Sequence, residues 1–199
     1  HDLVICSDEI HGDLVYEGHR HTPIASLAPE ISARTITLFA PSKTFNIAGL
    51  KCSFAVVQDR ALRECYQGAR QGLVSGVNAF GYTAALAAYA EGGAWLESVL
   101  AYLQANLDYV ARCVADRLPG VDLIRPEGTY LAWLDCRSLD LQEPPGAFFL
   151  REARVALNEG RAFGPDGEGF VRLNFGCPRG ILAEALDRMQ GALAQHAAG

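Results

Sequence analysis

The chain has 199 residues, half of them hydrophobic, and a net charge of −6. That length allows one large domain or one and a half smaller ones around a sizeable core. The negative balance argues against a nucleic-acid or anionic-membrane surface, while leaving room for a local basic pocket that takes a phosphate.

The longest weakly polar stretch, Ala79 to Ala90, falls short of the ~20 apolar residues that span a bilayer, and no signal peptide is legible. Six cysteines (Cys6, Cys52, Cys65, Cys113, Cys136 and Cys177) form no C-x-x-C pair. They read as reduced, buried thiols of a cytoplasmic protein rather than as zinc ligands or a disulfide framework. The chain opens at His1 without an initiator methionine and reads as part of something larger.

Short apolar runs at Leu3–Cys6, Thr35–Phe39 and Phe54–Val57 predict strands buried on both faces of a sheet. A short helix over 26–31 fits within the first crossover, and the pattern suggests an α/β sheet. Asp59 is placed to cap a helix from Arg60 to about Gln71, and Asn78 one from Ala79 to Ala90 that ends at Gly92-Gly93. From Trp95 to Leu118, leucines and valines recur at three- and four-residue steps, which predicts the longest helix; Pro119-Gly120 stops it. Beyond it lie a strand over Thr129–Asp135, a helix over Ala147–Ala156, a turn over 164–169, a strand over Phe170–Phe175 and a last helix from about Ile181 to Ala194. This C-terminal stretch reads as a small α+β unit.

Two strand ends carry chemistry. Ser7-Asp8-Glu9-Ile10-His11 closes the first run, and Ala40-Pro41-Ser42-Lys43 follows the second. In open α/β sheets ligands bind beyond the carboxyl ends of strands, so an acid and an amine are expected at one sheet edge. Alone, either residue is weak: lysines at strand ends are mostly surface residues, and carboxylates often cap loops. Together they are the pair that pyridoxal phosphate needs, a Schiff-base lysine and a carboxylate that keeps the pyridine nitrogen protonated. Two other readings fare worse. His11, His19 and His21 with Asp8, Glu9 and Asp13 match no standard metal-ligand spacing. The glycines at 164, 167 and 169 lack the strand-turn-helix order of a phosphate loop.

Four segments carry a family resemblance: Ser7 to Leu14, Pro41 to Leu50, Pro126 to Asp135 and Val171 to Arg179. In this order they resemble the class I/II aminotransferase superfamily of fold-type I pyridoxal-phosphate enzymes, nearest to the MalY/PatB type of cystathionine β-lyases (C-S lyases). The resemblance covers essentially the whole chain, which looks like the C-terminal half of such an enzyme. It implies part of a large cofactor-binding domain with a mainly parallel sheet over 1–92, a long interdomain helix over 93–118, and a small α+β domain over 119–199.

The resemblance also implies roles. Lys43 would bind the cofactor and remove the substrate Cα proton. Asp8 would pair with the pyridinium nitrogen, His11 would lie near the ring oxygen, and Lys51 would contact the phosphate as a point charge where arginine is common. The family often has a serine three residues before the lysine; here that position is Ala40. Arg172 would clamp the substrate α-carboxylate; otherwise it would form a structural salt bridge. The expected reaction is α,β-elimination from an L-amino acid with sulfur at Cβ, releasing thiol, pyruvate and ammonia. Transamination uses the same residues and is the alternative. A non-catalytic aminotransferase-like module is the second alternative, because the family's phosphate loop and ring-stacking aromatic cannot be assigned here. A homodimer is implied for the intact enzyme, with no nucleic-acid or membrane partner.

Overall fold

The structure is a computed structural model that describes residues 3–198. The chain divides into two compact units, His1–Leu100 and Ala101–Gly199.

The first unit is built on a sheet ordered β1-β2-β3, with β1 at Ile5–Asp8, β2 at Thr35–Phe39 and β3 at Phe54–Val57. β1 and β2 are parallel, with Ile5 opposite Thr35 and Asp8 opposite Leu38. β2 and β3 are antiparallel, with Phe39 opposite Phe54. The sheet expected to be mainly parallel is therefore mixed among these strands. The reason is the connection: residues 40–53 stay at the end of β2 where they begin, so β3 must run back.

β1 starts two residues later than its apolar run. Its first pairing, Ile5 with Thr35, is fixed by β2, and Leu3 and Val4 stay exposed. Burial on both faces is not found, since Cys6, Phe54 and Val56 are also exposed.

Proline decides where the short helices start. The helix expected over 26–31 is split into a 3-10 turn at Ile24–Ser26 and α1 at Pro29–Ser32. Ala28 precedes a proline and is extended (φ −163°, ψ 154°), because the proline ring disfavours the helical conformation there. Ala40 is extended for the same reason before α2, Pro41–Thr44.

α3 (Arg60–Arg70) is capped by Asp59, whose carboxylate accepts from the Leu62 N–H at 2.7 Å. α4 (Ala79–Glu91) is capped by Asn78, which accepts from the Gly81 N–H at 2.9 Å. α4 is apolar around most of its circumference, and Phe80 and Leu86 are exposed. α5 (Gly93–Arg117) follows.

The second unit holds an antiparallel sheet ordered β4-β5-β7-β6: β4 Asp122–Ile124, β5 Leu131–Asp135, β6 Asn158–Glu159 and β7 Phe170–Asn174. β5 is shorter than its sequence run because Thr129 has a positive φ of 61°. One face of the sheet is core: Ala132, Leu134, Val171 and Leu173 are buried, as are Leu107 and Val110 of α5. α7 (Arg179–Ala198) adds buried Leu182, Leu186 and Met189. Asn106 is fully buried and donates to the Phe175 and Cys177 carbonyls at 2.9 and 3.0 Å, so it costs the core no unmet polar group.

The helix expected over 147–156 is instead α6 (Pro145–Phe148) running into a π-helical turn at Phe149–Ala153. Arg154 then turns left-handed (φ 57°) and ends it. All six cysteines are free thiols, but only Cys113 and Cys136 are buried; Cys6 and Cys65 are exposed. The expectation of uniformly buried thiols fails because β1 and α3 each leave one face open. Burial pushes the Cys136 thiol up to about 12, with Asp135 and Glu159 adding to it.

Candidate active site

Asp8 is the last residue of β1, opposite Leu38. One residue past Leu38, β2 ends, and Lys43 follows as the third residue of α2. Neighbouring parallel strands lie about 4.8 Å apart, so the acid and the amine leave the same edge of the sheet side by side. Neither has an ion-pair partner among the described residues. Asp8 accepts a long bond, 3.3 Å, from the Ile10 N–H.

The loop after Asp8 is held by its neighbours. Glu9 is buried and accepts from the Ser7 hydroxyl at 2.9 Å, the Ile24 N–H at 3.1 Å and His21 Nε2 at 2.8 Å. Burial alone would raise the Glu9 carboxyl. The hydrogen bonds from His21, Ser7 and Ile24 outweigh it and hold the group below its ordinary value of 4.5. His21 is therefore a partner of Glu9. No group of three or more His, Cys, Asp or Glu among the described residues could hold a metal.

His11 lies half-buried in the same loop, and its carbonyl accepts from the Leu14 N–H at 2.9 Å. Asp13, two residues on, accepts from the Thr44 hydroxyl at 2.8 Å. That bond joins the Asp8 loop to the turn that carries Lys43.

Lys51 ends the 3-10 turn Ala48–Leu50 in the left-handed conformation (φ 52°, ψ 50°) and is exposed. Asn46 also has a positive φ, 55°. Asparagine visits this region readily, whereas for lysine it costs about 1–2 kcal/mol. The bend is held from outside, because Asn78, the cap of α4, donates to the Leu50 carbonyl at 3.0 Å.

Arg172 belongs to the second unit, in the middle of β7. It pairs across the sheet with Trp133 on β5 and Asn158 on β6, which sets the three in one row. Its Nη2 donates to the Asn158 side-chain oxygen at 3.1 Å, and its guanidinium carbon lies 4.4 Å from the centre of the Phe163 ring. Among the described residues no carboxylate pairs with it, and its buried Nε has no hydrogen-bond partner. A structural salt bridge is thus not what holds it. An unmatched buried donor beside a free guanidinium edge suits a carboxylate brought by a ligand.

Sequence reasoning weighed Glu9 and Asp13 only as metal ligands and did not single out Thr44, Asn158 or Phe163. The capping-like Asx and hydroxyl residues gave no local signal, and Asn158 lies on a strand of two residues. Arg179, by contrast, is occupied in the fold: its Nε donates to Asn106 at 2.8 Å and it lies over the Tyr109 ring. No helix among the described residues is long and apolar enough to cross a membrane.

The chain matches a family model and known proteins along nearly its whole length. The family described as Aminotransferase class I and II matches residues 1–189. Cystathionine beta-lyase PatB of Bacillus subtilis is 41% identical over 97% of this chain and 50% of its own length. Among solved structures, OvoB superposes with a TM-score of 0.91 at 47% identity, over 97% of this chain and 50% of that one. Cystalysin from Treponema denticola, whose crystals contain a pyridoxal 5'-phosphate cofactor, superposes with a TM-score of 0.92 at 34% identity, over 98% and 50%. The chain thus spans about half the length of the relatives it matches. With nearly all of its residues matched by one family, the chain belongs to the class I and II aminotransferases.

Proposed function

We propose that the protein carrying this chain is a pyridoxal-phosphate-dependent carbon–sulfur β-lyase. It would take an L-amino acid with a thiolate leaving group at Cβ, cystathionine first among them. With one water it would release the thiol, pyruvate and ammonia. The observation that carries the reading is the side-by-side exit of Asp8 and Lys43 from adjacent parallel strands. The lyase names of PatB and of similar relatives from Mycobacterium leprae and Corynebacterium glutamicum support elimination over other chemistries.

When bound, the cofactor supplies an electron sink for the bond pair left at the substrate Cα. Lys43 would hold it through the side-chain amine and would take the substrate Cα proton on Nζ. The Asp8 carboxylate keeps the ring nitrogen protonated, since a nearby anion favours the charged form. His11 contributes a donor near the ring oxygen, and Lys51 a point charge at the phosphate. Arg172 would take the substrate α-carboxylate through its guanidinium fork. The protein acts in the cytoplasm as a homodimer. The large-domain, bridging-helix and small-domain division at 1–92, 93–118 and 119–199 belongs to the same proposal.

Transamination is the second reading, favoured by the family profile itself. One pair of assays separates the two. The protein is loaded with pyridoxal phosphate, reduced with borohydride and digested, and the labelled peptide is identified by mass. Label on Lys43, lost in Lys43→Ala, together with pyruvate release that needs no keto-acid acceptor, is the expected result. Dependence on an acceptor would turn the assignment to transamination, and label absent from Lys43 would sink both.

A further inference from the structure

We propose that Phe163 is a positioning residue for Arg172, setting the guanidinium plane so that its free edge meets a substrate carboxylate. The inference rests on the carboxylate-binding role assigned to Arg172 above.

Two contacts define that plane. The Phe163 ring covers one face at 4.4 Å, and Asn158 takes one corner, Nη2, at 3.1 Å. Nothing among the described residues pairs with Nε. A stacked guanidinium keeps its in-plane donors free, because the ring attracts the cation through its face and competes for no hydrogen bond. Without the ring, the arginine would be held by a single hydrogen bond, to Asn158, and could swing.

The ring itself is held. Trp133 meets it edge-on with centroids 5.6 Å apart, and Trp133 in turn stacks on Phe170 at 5.6 Å. The turn that carries it, Gly160–Phe163, is packed tightly on residues 167–170. A Cβ at Gly160 would lie 2.3 Å from the Gly167 carbonyl oxygen and 2.7 Å from that of Phe170. Hydrophobic burial does not account for the ring's place, since Phe163 is 53% exposed. Its side chain is thus fixed over the arginine while contributing little to the core.

The test uses the intact protein loaded with pyridoxal phosphate and two calorimetric titrations, L-alanine and L-alaninamide. Neither has a leaving group at Cβ, and they differ in the carboxylate. Phe163→Leu is expected to weaken L-alanine by about 3- to 30-fold, the range of a guanidinium–ring stack, and to leave L-alaninamide within about twofold. Phe163→Tyr keeps the ring and should restore the wild-type difference between the ligands. Equal losses for both ligands in Phe163→Leu would make Phe163 merely structural, and no loss for either would make it irrelevant; both overturn the proposal while leaving the role of Arg172 standing. A wild-type protein that binds the two ligands equally would remove the role of Arg172, and with it that of Phe163.

Discussion

The Thr44 hydroxyl donates to the Asp13 carboxylate at 2.8 Å, and this bond ties the turn holding Lys43 to the loop that follows Asp8. The two groups proposed to act on the cofactor are thereby fastened to each other twice, once through the strand pairing and once through this bond. Thr44 is buried and Asp13 exposed. Thr44→Val keeps the shape and removes the donor, while water can still reach Asp13. A loss of about 1 kcal/mol is expected in urea unfolding. Borohydride labelling of Lys43 should slow as well, because the turn is no longer anchored.

Glu9 gives the fold an acid-sensitive clasp. Its carboxyl lies below the ordinary 4.5 in the folded state, so its contribution is complete above that value and is lost as the pH falls through the folded pKa. Thermal unfolding between about pH 3 and 7 should therefore show a steep acid limb. Glu9→Gln is expected to flatten that limb and to lower stability at neutral pH by about 2 kcal/mol, since the amide forms weaker bonds with His21 and Ser7. An unchanged limb would assign acid sensitivity to other carboxylates.

At Arg172 the prediction separates binding from folding. Lysine cannot form the planar fork, cannot stack in the same way on Phe163 and reaches Asn158 less well. Arg172→Lys should lower kcat/KM by roughly 30-fold, the scale of a lost bidentate carboxylate pair, mostly through KM. The urea midpoint should barely move, because no carboxylate among the described residues depends on this arginine.

Gly92 tests the contact between α4 and α2. It has an ordinary backbone conformation, but a Cβ there would lie 2.3 Å from the Ala88 carbonyl oxygen and 2.5 Å from the Phe45 ring. Phe45 directly follows Thr44 and packs on Tyr89 and Trp95. Gly92→Ala should cost about 1–3 kcal/mol through overpacking. Gly93→Ala, one residue on with open space around it, should be neutral or slightly stabilising, because alanine favours helix. Differential scanning calorimetry of the two variants makes the comparison.

Much of the first unit was legible because its signals are local. The apolar runs at 35–39 and 54–57 match β2 and β3, and Asp59 and Asn78 cap the helices that follow them. The exit of Asp8 and Lys43 at one sheet edge could be read from the same runs. What escaped depends on distant partners. β4 and β6 are too short to show periodicity and exist through pairing with β5 and β7. The positive φ of Asn46 and Lys51 falls on no glycine and is imposed in part by Asn78 on the Leu50 carbonyl. The position of Phe163 over Arg172 comes from a tightly packed turn, which no spacing in the sequence encodes.

Phe39 and Phe54 face each other across the antiparallel pair and stack with centroids 5.6 Å apart. They clasp the base of an excursion, residues 40–53, that contains both Lys43 and Lys51. Such a closed excursion can change in length without disturbing the strands that anchor it, because each added residue alters the closure entropy only slightly. The distance between the two lysines is therefore an independent variable of the scaffold. Insertions or deletions between 45 and 50 would retune the spacing of Lys43 and Lys51, the two cations proposed to hold the cofactor, while leaving the sheet register untouched.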